Sequence, residues 1–140
     1  MTEAERLVRA YYTAFNEGDV EAFLGLLDDH VAHDISQGGR EVGRAAFRRF
    51  IEHMNRCYRE RIADLIVLTE PSGVRAAAEF TVHGRYIATD AAVPAGTPPA
   101  SGQGYVLPAG AFFSIRAGRI TRVSNHYNLT DWVRQVSAPA

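Results

Sequence analysis

Near residue 58 the hydrophobic rhythm of this chain changes, and that change restricts its possible folds more than any other feature. Before it, apolar residues recur at helical spacing. Leu7, Val8, Tyr11, Tyr12 and Phe15 fall on one helical face, and Phe47, Phe50, Ile51, Met54 and Tyr58 form a second stripe. After it, apolar and polar residues alternate, as where Ala76, Ala78, Phe80 and Val82 share one face of a strand. Helices first and strands afterwards read as α+β, with an antiparallel meander rather than repeated βαβ units.

Turn chemistry sets the boundaries. Thr2 and Glu5 have capping-box spacing ahead of the first helix. Gly18 suits a left-handed C-cap and Asp19 the next N-cap. The second helix carries Phe23, Leu24 and Leu27 inward and ends near Asp28-Asp29. An extended segment from His30 to Ile35, a turn at Gln37-Gly38-Gly39 and a third helix opened by Gly43 follow. Strands are expected at Arg61–Leu68, Val74–Thr89, Gln103–Arg116 and Arg119–Asn128. Gly84 marks a bend or bulge, Pro108 and Gly110 interrupt the third strand, and Ala117-Gly118 is a hairpin turn. Asp131–Val136 reads as a last helical turn. Residues 90–102 are rich in Pro, Gly, Ala and Ser and read as a long loop, a length often found in lids.

The 140 residues fit a single domain, 1–140, without repeat or linker. A net charge of -1 disfavours nucleic acid and anionic membranes as partners. All 15 basic residues are arginine, which removes any Schiff-base lysine mechanism. Cys57 is the one cysteine, so no intrachain disulfide forms, and it is expected to be buried as a small hydrophobe. Thr2, Glu3 and Glu5 stand where a signal peptide would be basic, and no apolar run reaches the ~20 residues of a membrane span. A cytoplasmic protein is the expectation.

Several segments resemble a known superfamily. They are Tyr11–Asp19 (YYTAFNEGD), Asp28-Asp29, the His33-Asp34 pair, HDISQGG from His33, RAAAEFTVHGRY from Arg75, YVLPAGAFFSI from Tyr105 and HYNLTDW from His126. Together they resemble the nuclear transport factor 2-like superfamily (SnoaL-like, or ketosteroid-isomerase-like), and most closely its ketosteroid-isomerase-related proteins. The resemblance implies a cone-like curved antiparallel sheet packed with three helices around a central pocket, and a homodimer. It also implies a chemistry. Tyr11, five residues before Asn16, matches the tyrosine that donates to a developing oxyanion in steroid isomerases. Asp34, five residues after Asp29, matches their general base. Their third group, a protonated aspartate, falls on Gly110 here, so the acid is missing. The fold hosts many reactions and also non-enzymes.

Other candidates follow from strand alternation. Asn125 and Tyr127 share the face of Val123, expected to be the inner one, and with Gln103 and Tyr105 they are candidate substrate contacts. His33 is a further candidate contact, yet adjacent side chains of an extended segment face opposite ways. His33 and Asp34 therefore do not both enter the pocket, and a surface or interface place is expected for His33. Glu79 is expected on the face opposite Phe80. His83, His126 and Asp34 have no close metal-ligand spacing, so no metal is expected. No organic cofactor is expected either.

The function these features point to is an isomerase or lyase acting by acid–base chemistry on a small, mostly apolar carbonyl compound, with Asp34 as base and Tyr11 as oxyanion donor. A hydrolase of epoxide type, with Asp34 activating water, is one rival. A non-catalytic binding or interaction module is the other. An exposed Asp34 beside an interior filled with large side chains would favour that module.

Overall fold

The computed structural model of the protein describes residues 1–139. Three helices and two short strands come first: α1 (Glu3–Glu17), α2 (Val20–Gly25), β1 (Leu27–Asp34), β2 (Arg40–Val42) and α3 (Arg44–Cys57). Four long strands follow, β3 (Tyr58–Thr69), β4 (Arg75–Tyr86), β5 (Gln103–Arg116) and β6 (Arg119–Tyr127), and α4 (Leu129–Val136) ends the fold. The strands form one sheet in the order β2-β1-β6-β5-β4-β3. The expected α+β class is what is found, with two refinements. A fourth helix is present, and β1 runs parallel to β6 while every other pairing is antiparallel.

Local chemistry places the helices. The Glu5 N–H donates to Thr2 Oγ1 at 3.1 Å, and the Ala22 N–H donates to Asp19 Oδ1 at 3.0 Å. Gly18 adopts φ +68° between them, the left-handed C-cap that lets α2 turn back. Asn16 fastens this corner to the sheet. Its amide donates to the Ile62 carbonyl at 2.9 Å and accepts from the Ile62 N–H at 2.8 Å, completing a stretch of the edge strand β3.

Four boundaries differ from the sequence reading. Leu27 starts β1 instead of ending α2, because its neighbour Leu26 accepts from the Ile120 N–H and draws the chain into the sheet. Tyr58 opens β3 rather than closing α3. The short β2 had no periodicity to reveal it. Pro108 and Gly110 do not break β5, since Pro108 lies just past the end of β6, where proline is tolerated as on an edge.

Alternation then fixes two faces. The inner one carries Ala76, Ala78, Phe80, Val82 and Tyr86 from β4 and Tyr105, Leu107, Ala111 and Phe113 from β5, all buried. At one end Tyr11 packs 4.4 Å from Phe23 and 5.4 Å from Phe113, and Tyr12 lies 4.9 Å from Phe80. At the other end Trp132 of α4 sits 5.1 Å from Tyr86 and 6.1 Å from Tyr58 and Tyr105. The Gln135 side chain holds α4 there, accepting from the Val106 N–H at 2.8 Å and donating to the Val106 carbonyl at 2.9 Å. Tyr86 and Phe113 are fully buried inside. The outer face presents Ile66, Leu68 and Phe112, each at least half exposed. Among the described residues no helix is long and apolar enough to cross a membrane.

Gly84 is needed for a different reason from the bend expected of it. It pairs with Tyr105 across β4 and β5, and a Cβ at this position would overlap the tyrosine ring. We therefore expect Gly84→Ala to destabilise the protein by ~1–3 kcal/mol. Pairing it with Tyr105→Leu should restore part of that loss, because the two changes share one contact. Urea denaturation of the single and double variants checks this, and strictly additive losses would contradict it.

Candidate functional site

The strand that carries His33 and Asp34 decides what reaches the interior. β1 alternates, so one of the two faces in and the other out. The structure turns His33 in. Its ring stacks on Phe47 at 4.1 Å with 13° between planes, Phe50 meets it edge-on at 4.6 Å, and it is buried. Asn125 on β6 lies beside it and its amide nitrogen is 2.9 Å from His33 Nε2. An amide nitrogen donates, so Nε2 accepts and the proton resides on Nδ1. That Nδ1 is buried without a partner. Burial lowers the His33 pKa to about 4 against a smaller opposing pull from Asp34, so the ring is neutral near pH 7.

Asp34 lies on the other face. Arg40 Nε donates to its Oδ1 at 2.6 Å and Arg122 Nε to its Oδ2 at 3.1 Å. The hydrogen bond from Arg40 leads in lowering its pKa to about 2, with the Arg40 and Arg122 charges adding to it. A carboxylate neutralised by two guanidiniums and held that acidic is poorly suited to take a proton from carbon. The expectation of Asp34 as general base therefore meets an opposing geometry, and the reason is the alternation itself. The expected surface place of His33 is overturned by the same fact.

The interior also holds a carboxyl that the sequence reading passed over. Glu60 on β3 faces inward between Tyr58 and Ile62 and accepts a hydrogen bond from Tyr105 Oη at 2.7 Å. Burial raises the Glu60 pKa, against the lowering effect of that bond. The signal available in the sequence was the alternation Tyr58-Glu60-Ile62, one polar residue on an otherwise apolar face. Tyr127 shares the face of Asn125. Its hydroxyl pKa is raised by burial first and then by the charges of Glu60 and Asp90, so it titrates within their field. The Tyr105 hydroxyl is likewise pushed up, by burial and then by Glu60.

The remaining candidates fall elsewhere. Tyr11 is buried among Tyr12, Phe23 and Phe113, and burial raises its pKa. Its ring contacts lead through Phe23 and Phe47 to His33. Gln103 is tied to the backbone, donating to the Pro99 carbonyl at 2.9 Å and the Val136 carbonyl at 3.3 Å, and so secures α4. Gly110 pairs with Glu79 on one side and His126 on the other, on the outer face, so even an acid there would point away from the interior. His126 is exposed beside Phe112, with Ser124 Oγ 3.0 Å from its Nε2. His83 and Val106 stand with Glu60, Gly84, Tyr105 and Gln135 around a hollow of about 610 Å³ at the edge formed by β3, β4 and β5. A second hollow of about 470 Å³ lies on the outer face against Phe112 and Leu68. Beside α4 the rings of Tyr58, Tyr86, Tyr105 and Trp132 pack together in the interior.

Comparison with known proteins fits this geometry. The profile of the SnoaL-like domain matches residues 8–123, and the chain belongs to that family. A solved structure of a candidate polyketide cyclase from Pseudomonas putida is 60% identical, with 98% of this chain and 99% of that one covered and a TM-score of 0.91. Candidate polyketide cyclases from Xanthomonas campestris and a Silicibacter species are 52% and 44% identical. They cover 96% of this chain and 97% and 96% of their own, each with a TM-score of 0.91. No curated protein matches the sequence.

The Asp34 cluster predicts an acid-sensitive contribution to stability. A pKa held below the unfolded value of about 3.9 stabilises the fold at higher pH, and the benefit is lost as pH falls from there through about 2. Asp34→Asn should therefore melt below the native protein at pH 6, with the gap closing toward pH 2. Thermal midpoints across that range check this, and a gap that stays constant would exclude the Asp34 ion pairs as its source.

Proposed function

We propose that this SnoaL-like protein is a small-molecule enzyme of isomerase, cyclase or lyase type that works by proton transfer on a carbonyl compound, without an organic cofactor. The observation that carries the proposal is Glu60, a carboxyl of raised pKa held by Tyr105 on the apolar inner face of the sheet. Ring closure and double-bond migration next to a carbonyl both begin with loss of the α-proton. A base serves best when its pKa lies near the working pH, and burial moves Glu60 that way. Glu60 takes the α-proton, the developing enolate oxygen accepts a hydrogen bond, and the proton returns to carbon or leaves with the product. Tyr127 and the Asn125–His33 pair are the donors on the same face, His33 through the unpaired Nδ1–H. Tyr105 orients the Glu60 carboxylate. The candidate cyclases at 60% and 52% identity support the reaction class. The apolar surroundings suit a mostly apolar substrate, reached when Trp132 and α4 shift.

Glu60→Gln should lower turnover of enolisable dicarbonyl compounds by ~10²–10⁴-fold while the protein stays folded. In the native enzyme kcat/KM should rise with pH through a pKa above the ~4.3 of a free glutamate, and the variant should lose that limb. Undiminished turnover in Glu60→Gln would exclude Glu60 as the base.

One observation favours the second reading, a non-catalytic binding module: Asp34 is turned outward while large aromatic side chains occupy the interior. The two readings separate on one experiment. Exchange of substrate α-hydrogen for solvent deuterium belongs to the enzyme, whereas a change in the fluorescence of Trp132, the single tryptophan, without exchange belongs to the binder. An epoxide-type hydrolase would instead incorporate solvent oxygen.

A cytoplasmic homodimer is part of the same proposal. The outer face offers Ile66, Leu68 and Phe112, an exposed apolar set suited to a second copy. Light scattering should give twice the monomer mass for the native chain and the monomer mass for Phe112→Glu. A monomeric native chain would refute the interface.

A further inference from the structure

We propose that the C-terminal end of α3 and the loop after β4 form a binding site for a divalent transition-metal ion of the zinc class, with His53, Cys57 and Asp90 as ligands. This site uses none of the side chains assigned above to proton transfer, and the proposal stands independently of that reading. His53 and Cys57 are four residues apart on α3, so they project from one face of the helix on successive turns. Asp90 comes to them from the loop. The imidazole, thiol and carboxylate ligand atoms all lie within 4.8 Å of one another, with His53 Nε2 3.1 Å from Asp90 Oδ1.

The backbone around the cluster is already fixed. The N–H groups of Ile87 and Ala88 both donate to the Cys57 carbonyl, at 2.8 and 3.2 Å, which ties the loop to the helix end. The Asp90 carboxylate is oriented by two further donors, the Ala92 N–H at 2.9 Å on Oδ1 and the Tyr58 hydroxyl at 2.7 Å on Oδ2. The Tyr86 hydroxyl accepts from the Asp90 N–H at 2.9 Å. Outer contacts of this kind hold a ligating carboxylate in place. Cys57 and Asp90 are buried, while His53 is part-exposed and leaves a path for the ion.

The donor set selects the metal. One nitrogen, one sulfur and one oxygen suit Zn²⁺ and its neighbours, not Mg²⁺ or Ca²⁺, which take oxygen shells. Three protein ligands leave a fourth tetrahedral position for water. With bonds of about 2.0–2.3 Å, neighbouring zinc ligands stand ~3.3–3.7 Å apart; His53 and Asp90 are already that close, and the cluster, all within 4.8 Å, needs only a small adjustment toward Cys57. Binding displaces the thiol proton of Cys57, releases it to solvent and leaves a thiolate on the metal. The ligand candidates expected from the sequence, His83, His126 and Asp34, have no close spacing and are not the ones the fold gathers. His53-x-x-x-Cys57 is close in sequence, and only Asp90 is distant.

Titration of the tag-free protein with Zn²⁺ against a chromophoric chelator tests the proposal. One ion per chain is expected, and Cys57→Ser and His53→Gln should each weaken uptake by about tenfold or more. No stoichiometric uptake by the native chain, or a smaller loss in either variant, overturns it. Co²⁺ provides a second readout that needs no variant. The native protein should develop a thiolate-to-cobalt charge-transfer band, which Cys57 alone can supply as the single cysteine. Absence of that band overturns the site even if a variant fails to fold.

Discussion

Phe113 lies fully buried where β5 faces α1, with the rings of Tyr11 and Tyr12 meeting it edge-on. Once that side of β5 is inside, every second residue of the sheet must follow it. Phe113 pairs with Val123, and Val123 stands opposite His33. The burial of one aromatic is thus transmitted through two strand pairings to a polar residue on a third. A slip of one residue anywhere along this path would exchange the faces of β1 and bring Asp34 inside with its charge. The two guanidiniums on Asp34 oppose such a slip, since an ionised carboxylate gains more from Arg40 and Arg122 outside than from Phe47 within.

The same alternation explains what could be read from the sequence and what could not. The helical stripes, the Gly18–Asp19 corner and the Ala117-Gly118 hairpin rest on contacts a few residues long, and they appear where expected. The inward placement of Asn125 also follows from period two once Val123 is taken as core. What decided β1 was a parallel pairing between Ala32–Asp34 and Arg122–Ser124, distant in sequence and invisible to local periodicity. A short, mixed segment such as His30–Ile35 has no apolar face strong enough to announce which side is buried. The match of Asp34 to a known base gave it a role by position, while the partners that determine its chemistry, Arg40 and Arg122, lay outside the matched motif.

Charge placement inside the cone follows one physical rule. Glu60 and His33 on the inner face each share a hydrogen bond with another polar side chain, and burial sets the direction of their pKa shifts. Glu60 is held by a tyrosine hydroxyl and shifted toward the neutral acid by burial. His33 is held by an amide and shifted toward the neutral base. Neither requires a compensating ion in the apolar interior. Asp90 stays ionised at the rim because a backbone N–H, the Tyr58 hydroxyl and His53 all turn toward it.

The side chain of Gln135 completes β5 as another strand would, offering one donor and one acceptor to Val106 just past the point where β6 ends. Any motion that lifts α4 to admit a ligand strips those groups and leaves a bare strand edge beside the exposed Val106 side chain. Such an edge is a template for whatever extended peptide is nearest. Opening thus carries a hazard that grows with protein concentration, and the glutamine makes the open form brief. The same residue that seats the last helix also keeps neighbouring molecules from being stitched together.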